Sequence, residues 1–231
     1  MSDQRIEGHG GELALAALRA AGVREMFTLS GAHVFPLYAA AHRSGDFPIY
    51  DVRHEQSAVF AAEAVAKLQR RPGLAVLTAG PGVTNGVSGL TSAFFNAAPV
   101  LVIGGRAPAF RWGAGSLQEI DHVPLVAPVT KHAATVFATE EIPQAIASAL
   151  TTALTPHRGP VFLDFPLEVL FSTGEAALAA PLVPTIEPDP DDVAAAARLI
   201  AAAERPVIIA GSDVYAADAI DALRAAAEGL Q

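Results

Sequence analysis

An open parallel α/β sheet with helices on both faces, followed by the start of a second α/β unit, is the architecture predicted by this 231-residue sequence. Three observations point there. Runs that are apolar at nearly every position (LAVLT at 74–78, PVLVI at 99–103, PVFLDF at 160–165) suit strands buried on both faces. Segments with apolar residues at helical spacing alternate with those runs. Glycine-containing turns stand at the strand ends, where open α/β sheets collect their ligands.

From the amino terminus, residues 11–21 (GELALAALRAA) form an amphipathic helix stopped by Gly22. Residues 23–29 are the first core strand, and Ser30-Gly31-Ala32-His33 turns it into a helix over 34–42. Residues 47–52 (FPIYDV) read as a short buried strand leading to a helix over 57–69. In that helix Ala58, Ala61, Ala62, Val65 and Leu68 form the inward face, with Glu63 and Lys67 paired on the other. After strand 74–78, residues 79–86 (AGPGVTNG) are a turn into a helix over 87–96. Strand 99–103 is broken by Gly104-Gly105, and 106–112 is a loop. Ser116 and Glu119 have capping-box spacing and start a short helix. Residues 131–137 form a strand, 140–154 a helix with Pro143 in its first turn, and 160–165 the last strand.

These elements define a first domain over 1–175 and a linker over 176–190, whose stretch 181–190 holds four prolines. Residues 191–231 begin a second unit, with a helix at 191–203, a strand at 206–210 and a helix at 216–228. That unit is expected to continue beyond Gln231, because one strand cannot bury a core.

Composition narrows the function. Fifty-two per cent apolar residues allow a sizeable core. A net charge of -9, from 15 basic and 24 acidic residues, argues against a nucleic-acid partner. Without cysteine there is no disulfide framework and no thiolate zinc site. The polar first ten residues and the lack of a long apolar run predict no membrane partner and a cytoplasmic location.

Two stretches can carry chemistry. Arg53-His54-Glu55-Gln56 lies where a strand turns into a helix, so Glu55 projects from a strand's carboxyl end. Beside Val59, Phe60 and several alanines, its carboxyl group is expected to be poorly hydrated and able to exchange a proton. From the strand-helix junction alone, a structural role at a helix start is the simpler account of an acidic residue there and needs no chemistry. Gly80-Pro81-Gly82-Val83-Thr84-Asn85-Gly86 also joins a strand to a helix. It matches neither the dinucleotide fingerprint nor a P-loop, so it is either a polar-ring or anion cradle or simply a tight turn. Seven histidines show no metal-ligand spacing. His33 and His54 fall on the ligand side, and the other five read as solvated or packing residues. Ser30-Gly31 is no nucleophile elbow.

Taken together, FTLSGAHVFPLY, DVRHEQSAVFAAEAVAK, LTAGPGVTNGVSGL, PVLVIGG and GSLQEIDHVPLVAPVTKHA resemble the pyrimidine-binding domain of thiamine-diphosphate-dependent enzymes of the acetolactate (acetohydroxyacid) synthase group. The resemblance runs from about residue 11 to 171. It implies that Glu55 activates the cofactor by hydrogen-bonding the aminopyrimidine ring. It places Gly80, Pro81, Gly82 and Asn85 along the pyrimidine, and Gly31 and Ala32 toward the thiazolium and substrate. It places Gln118 near the reacting carbon and Lys131 near a flavin and substrate channel. No metal ligand is implied in this chain. Leu117 stands where the group has an aromatic residue, which leaves oxalyl-CoA decarboxylase and 2-hydroxyacyl-CoA lyase chemistry open.

The resemblance further implies thiamine diphosphate, Mg2+ held by a carboxyl-terminal domain, and in many relatives FAD in the central domain that 191–231 begins. It implies 2-oxo acid substrates and a homodimer or tetramer with its active site between subunits. A truncated or split, non-catalytic thiamine-binding subunit is the non-enzymatic alternative.

Overall fold

The computed structural model describes residues 4–183 and 185–230. Contacts divide the chain into two units, Met1–Val183 and Pro184–Gln231. The first is built on a six-stranded sheet of β2 (Met26–Thr28), β3 (Ile49–Asp51), β4 (Gly73–Leu77), β5 (Val100–Arg106), β6 (His132–Thr135) and β7 (Val161–Pro166). Its order is β3-β2-β4-β5-β7-β6, and every pairing is parallel.

Side chains alternate between two cores. Leu74, Val76, Leu101, Ile103, Val161, Leu163 and Phe165 enter one core. The helices α1 (Gly10–Ala20), α2 (Phe35–Ser44), α6 (Ile142–Leu154) and α7 (Leu167–Phe171) contribute to it. Ala75, Leu77, Val100, Val102 and Phe162 enter the other, with residues of α3 (Glu55–Gln69), α4 (Pro81–Phe95) and α5 (Val123–Val126). Both faces are therefore dry, which is why the central strands read as unbroken apolar runs.

Several elements differ from the sequence reading. β3 is an edge strand with Tyr50 half exposed, because it has a neighbour on one side only. In α3, Leu68 faces solvent and Glu63 is buried. Val59 and Ala66 join Ala58 and Ala62 in the inward stripe. Residues 82–86 are not a turn, since α4 already begins at Pro81, whose fixed φ suits a first helical position. β5 runs straight through Gly104 and Gly105. A side chain at 104 would collide with Phe162 and Val83, and one at 105 with His33. Residues 116–119 form a turn rather than a helix: the Glu119 carboxylate accepts from the Gly113 and Ser116 amides and closes the loop on itself.

One pairing left no trace in the local sequence pattern. β1 (Arg5–His9) pairs antiparallel with β8 (Thr173–Ala177), and Arg5 forms an ion pair with Glu175.

The second unit, considered alone, holds α8 (Pro190–Ala201), α9 (Ser212–Ala216) and α10 (Ile220–Gly229). Residues 206–210 form no strand, and Val207 and Ile209 are exposed. A strand needs a hydrogen-bonded neighbour, and the described residues of this unit offer only helices. The expected helix over 216–228 starts only at Ile220 as α10, and a separate helix α9 covers 212–216, the two parted where Asp218 turns to φ 59°. Pro184, part of the proline-rich stretch, and Gln231 lie outside the described residues.

Candidate active site

The chain leaves β2 toward β3 at one edge and leaves β4 toward β5 on the other side. The crevice above the carboxyl ends of β2 and β4 is therefore the switch point of the sheet, where such folds place ligands. Three segments converge there. A side chain at Gly31 would overlap Thr78, so only glycine lets the segment after β2 lie against the end of β4. His33 Nδ1 lies 3.1 Å from Thr78 Oγ1, and Gln118 Oε1 lies 3.5 Å from the same hydroxyl. Gly80 adopts φ 57° and ψ -116°, and a Cβ there would stand 2.9 Å from Gln118 Cβ. Gln118 itself is left-handed at φ 60°. Non-glycine residues held in that region cluster at functional sites. Gly80, Pro81, Thr84, Gln118, Glu119 and Ile120 line an open cavity of about 250 Å3. A larger one of about 330 Å3 lies around Ala41–Ile49, toward the amino end of β3, and gathers no such residues.

Glu55 is the first residue of α3. His54 caps the helix through Nδ1, which accepts the Gln56 amide at 3.2 Å. The helix start presents unpaired N–H groups beside Glu55. The residue is only 7% exposed. Its Oε2 accepts a hydrogen bond from Asn85 Nδ2 at 3.0 Å, its sole partner among the described residues. Asn85 reaches it because α4 packs tightly on α3. A Cβ at Gly89 would fall 2.6 Å from Val59 Cβ, and one at Gly86 3.4 Å from Val59 Cγ2.

Burial holds His33 below the usual imidazole range. A hydrogen bond with the Leu117 backbone opposes that shift, and the nearby His122 reinforces it.

The sequence reading missed a buried polar chain under Gly80. The Gly80 amide donates to His122 Nε2 at 2.9 Å, and His122 Nδ1 lies 2.8 Å from Asp164 Oδ2. Arg106 Nη1 donates to the same Asp164 oxygen at 3.1 Å and to Asp121 at 3.1 Å. His122 and Asp164 are fully buried, so His122 is not a solvated residue. The one available signal was an aspartate inside the apolar run PVFLDF.

Lys131 does not reach this end of the sheet. It precedes β6, on the amino side, and its Nζ donates to the carbonyls of Thr152 and Thr155 at 2.6 and 2.7 Å. These are the free carbonyls at the end of α6, which a lysine satisfies well. Ala32 is exposed beside Gly31, and Gly82 packs against Thr78.

Residues 8–125, just over half the chain, match the family described as thiamine pyrophosphate enzyme, N-terminal TPP binding domain. The chain belongs to that thiamine pyrophosphate enzyme family. Within it, the chain is 46% identical to the acetolactate synthase large subunit IlvG of Mycobacterium tuberculosis over 213 residues, 90% of this chain and 38% of that protein. It is 42% identical to 2-hydroxyacyl-CoA lyase 2 of Caenorhabditis elegans over 169 residues, 73% of this chain and 26% of that protein. The human 2-hydroxyacyl-CoA lyase 2 is 40% identical over 169 residues, 73% of this chain and 27% of that protein. The chain thus spans less than two-fifths of the length of these curated relatives.

The donor set suits an aminopyrimidine of the thiamine cofactor. A buried carboxylate with a single amide partner keeps acceptor capacity for a ring nitrogen, and glycines at 31, 80 and 82 let their segments close against Thr78 and Gln118. A divalent cation is a different matter: among the described residues no group of three or more His, Cys, Asp or Glu side chains is placed to hold one. No helix among them is long and apolar enough to cross a membrane.

Proposed function

We propose that this chain is the pyrimidine-binding portion of an acetolactate-synthase-like enzyme, which decarboxylates pyruvate and transfers the two-carbon unit to a second 2-oxo acid in branched-chain amino-acid biosynthesis. The observation that carries the reading is Glu55, a carboxylate buried at a strand's carboxyl end with Asn85 as its one partner among the described residues. When bound, thiamine diphosphate supplies the electron sink that decarboxylation of a 2-oxo acid needs. Glu55 exchanges a proton with the pyrimidine ring nitrogen, and a poorly hydrated carboxyl suits that task. Asn85 holds the carboxylate in place. Gly80, Pro81 and Gly82 would line the pyrimidine of the cofactor, Gly31 and Ala32 would face its thiazolium side, and Gln118 would offer an amide near the reacting carbon. In this reading the diphosphate with its Mg2+, and any FAD, belong to other parts of the enzyme. The enzyme works in the cytoplasm as a homodimer or tetramer, with the site between subunits.

The test is Glu55→Gln in the intact protein. Acetolactate formation from pyruvate is expected to fall about 10²- to 10⁴-fold, while circular dichroism is unchanged and the melting temperature does not fall. Unimpaired turnover overturns the assignment.

A second reading has its own support. Leu117 replaces an aromatic residue next to Gln118 and is exposed, and several relatives bear the name 2-hydroxyacyl-CoA lyase 2. A panel of 2-hydroxyacyl-CoA, oxalyl-CoA and pyruvate separates the two. Coenzyme A thioester turnover without acetolactate selects the lyase or decarboxylase.

A further inference from the structure

We infer that His122 is a positioning residue, a buried clamp that fixes the Gly80 amide and with it the first turn of α4, so that Asn85 and Gln118 keep their places around the crevice. The inference rests on the proposed pyrimidine site for its meaning, but the clamp itself is a property of this chain.

The geometry specifies a tautomer. Gly80 N–H is a donor only, so His122 Nε2 at 2.9 Å must present its lone pair. The ring proton then sits on Nδ1, where it points at Asp164 Oδ2, 2.8 Å away. Asp164 accepts no proton from Gly80 directly; it acts by fixing which nitrogen of His122 is bare. Arg106 holds Asp164 in turn at 3.1 Å and reaches Asp121, the residue before His122 in the chain, also at 3.1 Å. The guanidinium is itself pinned over the Trp112 ring, 4.0 Å from its centroid. Four groups thus hold one imidazole nitrogen against one amide.

That amide matters because its neighbour in the chain offers no handle. Pro81 has no N–H and cannot be held from the backbone in the same way. Gly80 has φ 57° and, as a glycine, has little conformational preference of its own. Without His122 the segment would be fixed by the Gly82 amide on the Ala79 carbonyl at 3.2 Å, the Thr84 amide on the Gly80 carbonyl at 3.0 Å and contact with Gln118. Asn85 comes directly after Thr84, and its 3.0 Å bond to Glu55 depends on where that first turn sits.

Three measurements on the intact protein test this. First, nitrogen-15 shifts of labelled histidine in the unmodified protein report the tautomer; a proton on Nε2 overturns the clamp. Second, hydrogen exchange of the peptide covering 78–85, without cofactor, is compared in His122→Leu, His122→Gln and Asp164→Asn. Leucine and asparagine are expected to speed exchange about tenfold, the effect of losing one buried hydrogen bond, and glutamine, which keeps an acceptor, to restore it. Unchanged exchange in the leucine variant overturns the clamp. Third, thiamine diphosphate affinity is titrated. A loss of about tenfold in His122→Leu that recovers in His122→Gln supports positioning. Faster exchange with unchanged affinity overturns the positioning role while leaving Glu55 untouched. If the leucine variant does not fold, the tautomer measurement and Asp164→Asn still decide.

Discussion

Helix α3 carries two buried glutamates, and each takes its hydrogen bond from an asparagine of the same neighbouring segment. Glu55 is 7% exposed and receives Asn85 Nδ2 at 3.0 Å; Glu63 is 6% exposed and receives Asn96 Nδ2 at 2.8 Å. By burial and partner type the two pairs are nearly the same. They differ in place. Glu55 opens α3 on the side of the sheet where the carboxyl ends of the strands lie. Glu63 lies two turns along, and Asn96 caps the end of α4, where it also contacts Ser92. Burial plus an amide partner therefore does not mark a reacting group. In the proposed reading it is the place at the switch point of the sheet that sets Glu55 apart.

That contrast can be broken by exchanging each carboxylate for its amide. Glu55→Gln is expected to lower turnover about 10²- to 10⁴-fold, the usual scale for removing a proton-transfer group, with an unchanged or raised melting temperature. Glu63→Gln is expected to do the reverse, keeping turnover and costing about 1 kcal/mol in denaturant unfolding. Equal losses of activity in both variants would erase the distinction. Between these extremes, Asn85→Ala should cut turnover or thiamine diphosphate affinity about tenfold by freeing Glu55, whereas Asn96→Ala should register only in stability.

The smallest effect concerns acidity at the site end. The folded state holds His33 below its ordinary value, because burial penalises the charged ring. The unfolded chain therefore binds the proton first, and stability must fall as pH drops below about 6.5 and on through the folded value. Denaturant melts between pH 7.5 and 5 should show that decline, and His33→Gln should flatten it. A slope that survives the substitution would place the titration elsewhere.

Much of this was readable from residue order. The dry central strands announce themselves in LAVLT and PVLVI, and the strand-to-helix step at Arg53-His54 locates Glu55 at the ligand edge. What stayed hidden depends on distance along the chain. His122 meets Gly80 and Asp164 across 42 residues each, and Arg106 meets Asp164 across 58, so no local spacing reveals the cluster. Glu63 was misread because helical periodicity places it among polar neighbours, and only the approach of α4 covers it. Lys131, which the resemblance places near a flavin and substrate channel, lies before β6 at the amino end of the sheet, away from Glu55. PVIIA at 206–210 has strand composition but no neighbouring strand among the described residues. Local preference proposes a strand, and only pairing makes one.

The ribbon of Arg5–His9 and Thr173–Ala177 bears on how the unit assembles. Arg5 and Glu175 are 170 residues apart, so during synthesis the amino-terminal segment emerges long before its partner exists. The parallel sheet can form from nearer neighbours while this segment waits, and closing so wide a loop costs entropy that only an already folded body makes small. The ribbon is thus expected to close last. Amide exchange in β1 should report completion of the unit rather than its nucleation.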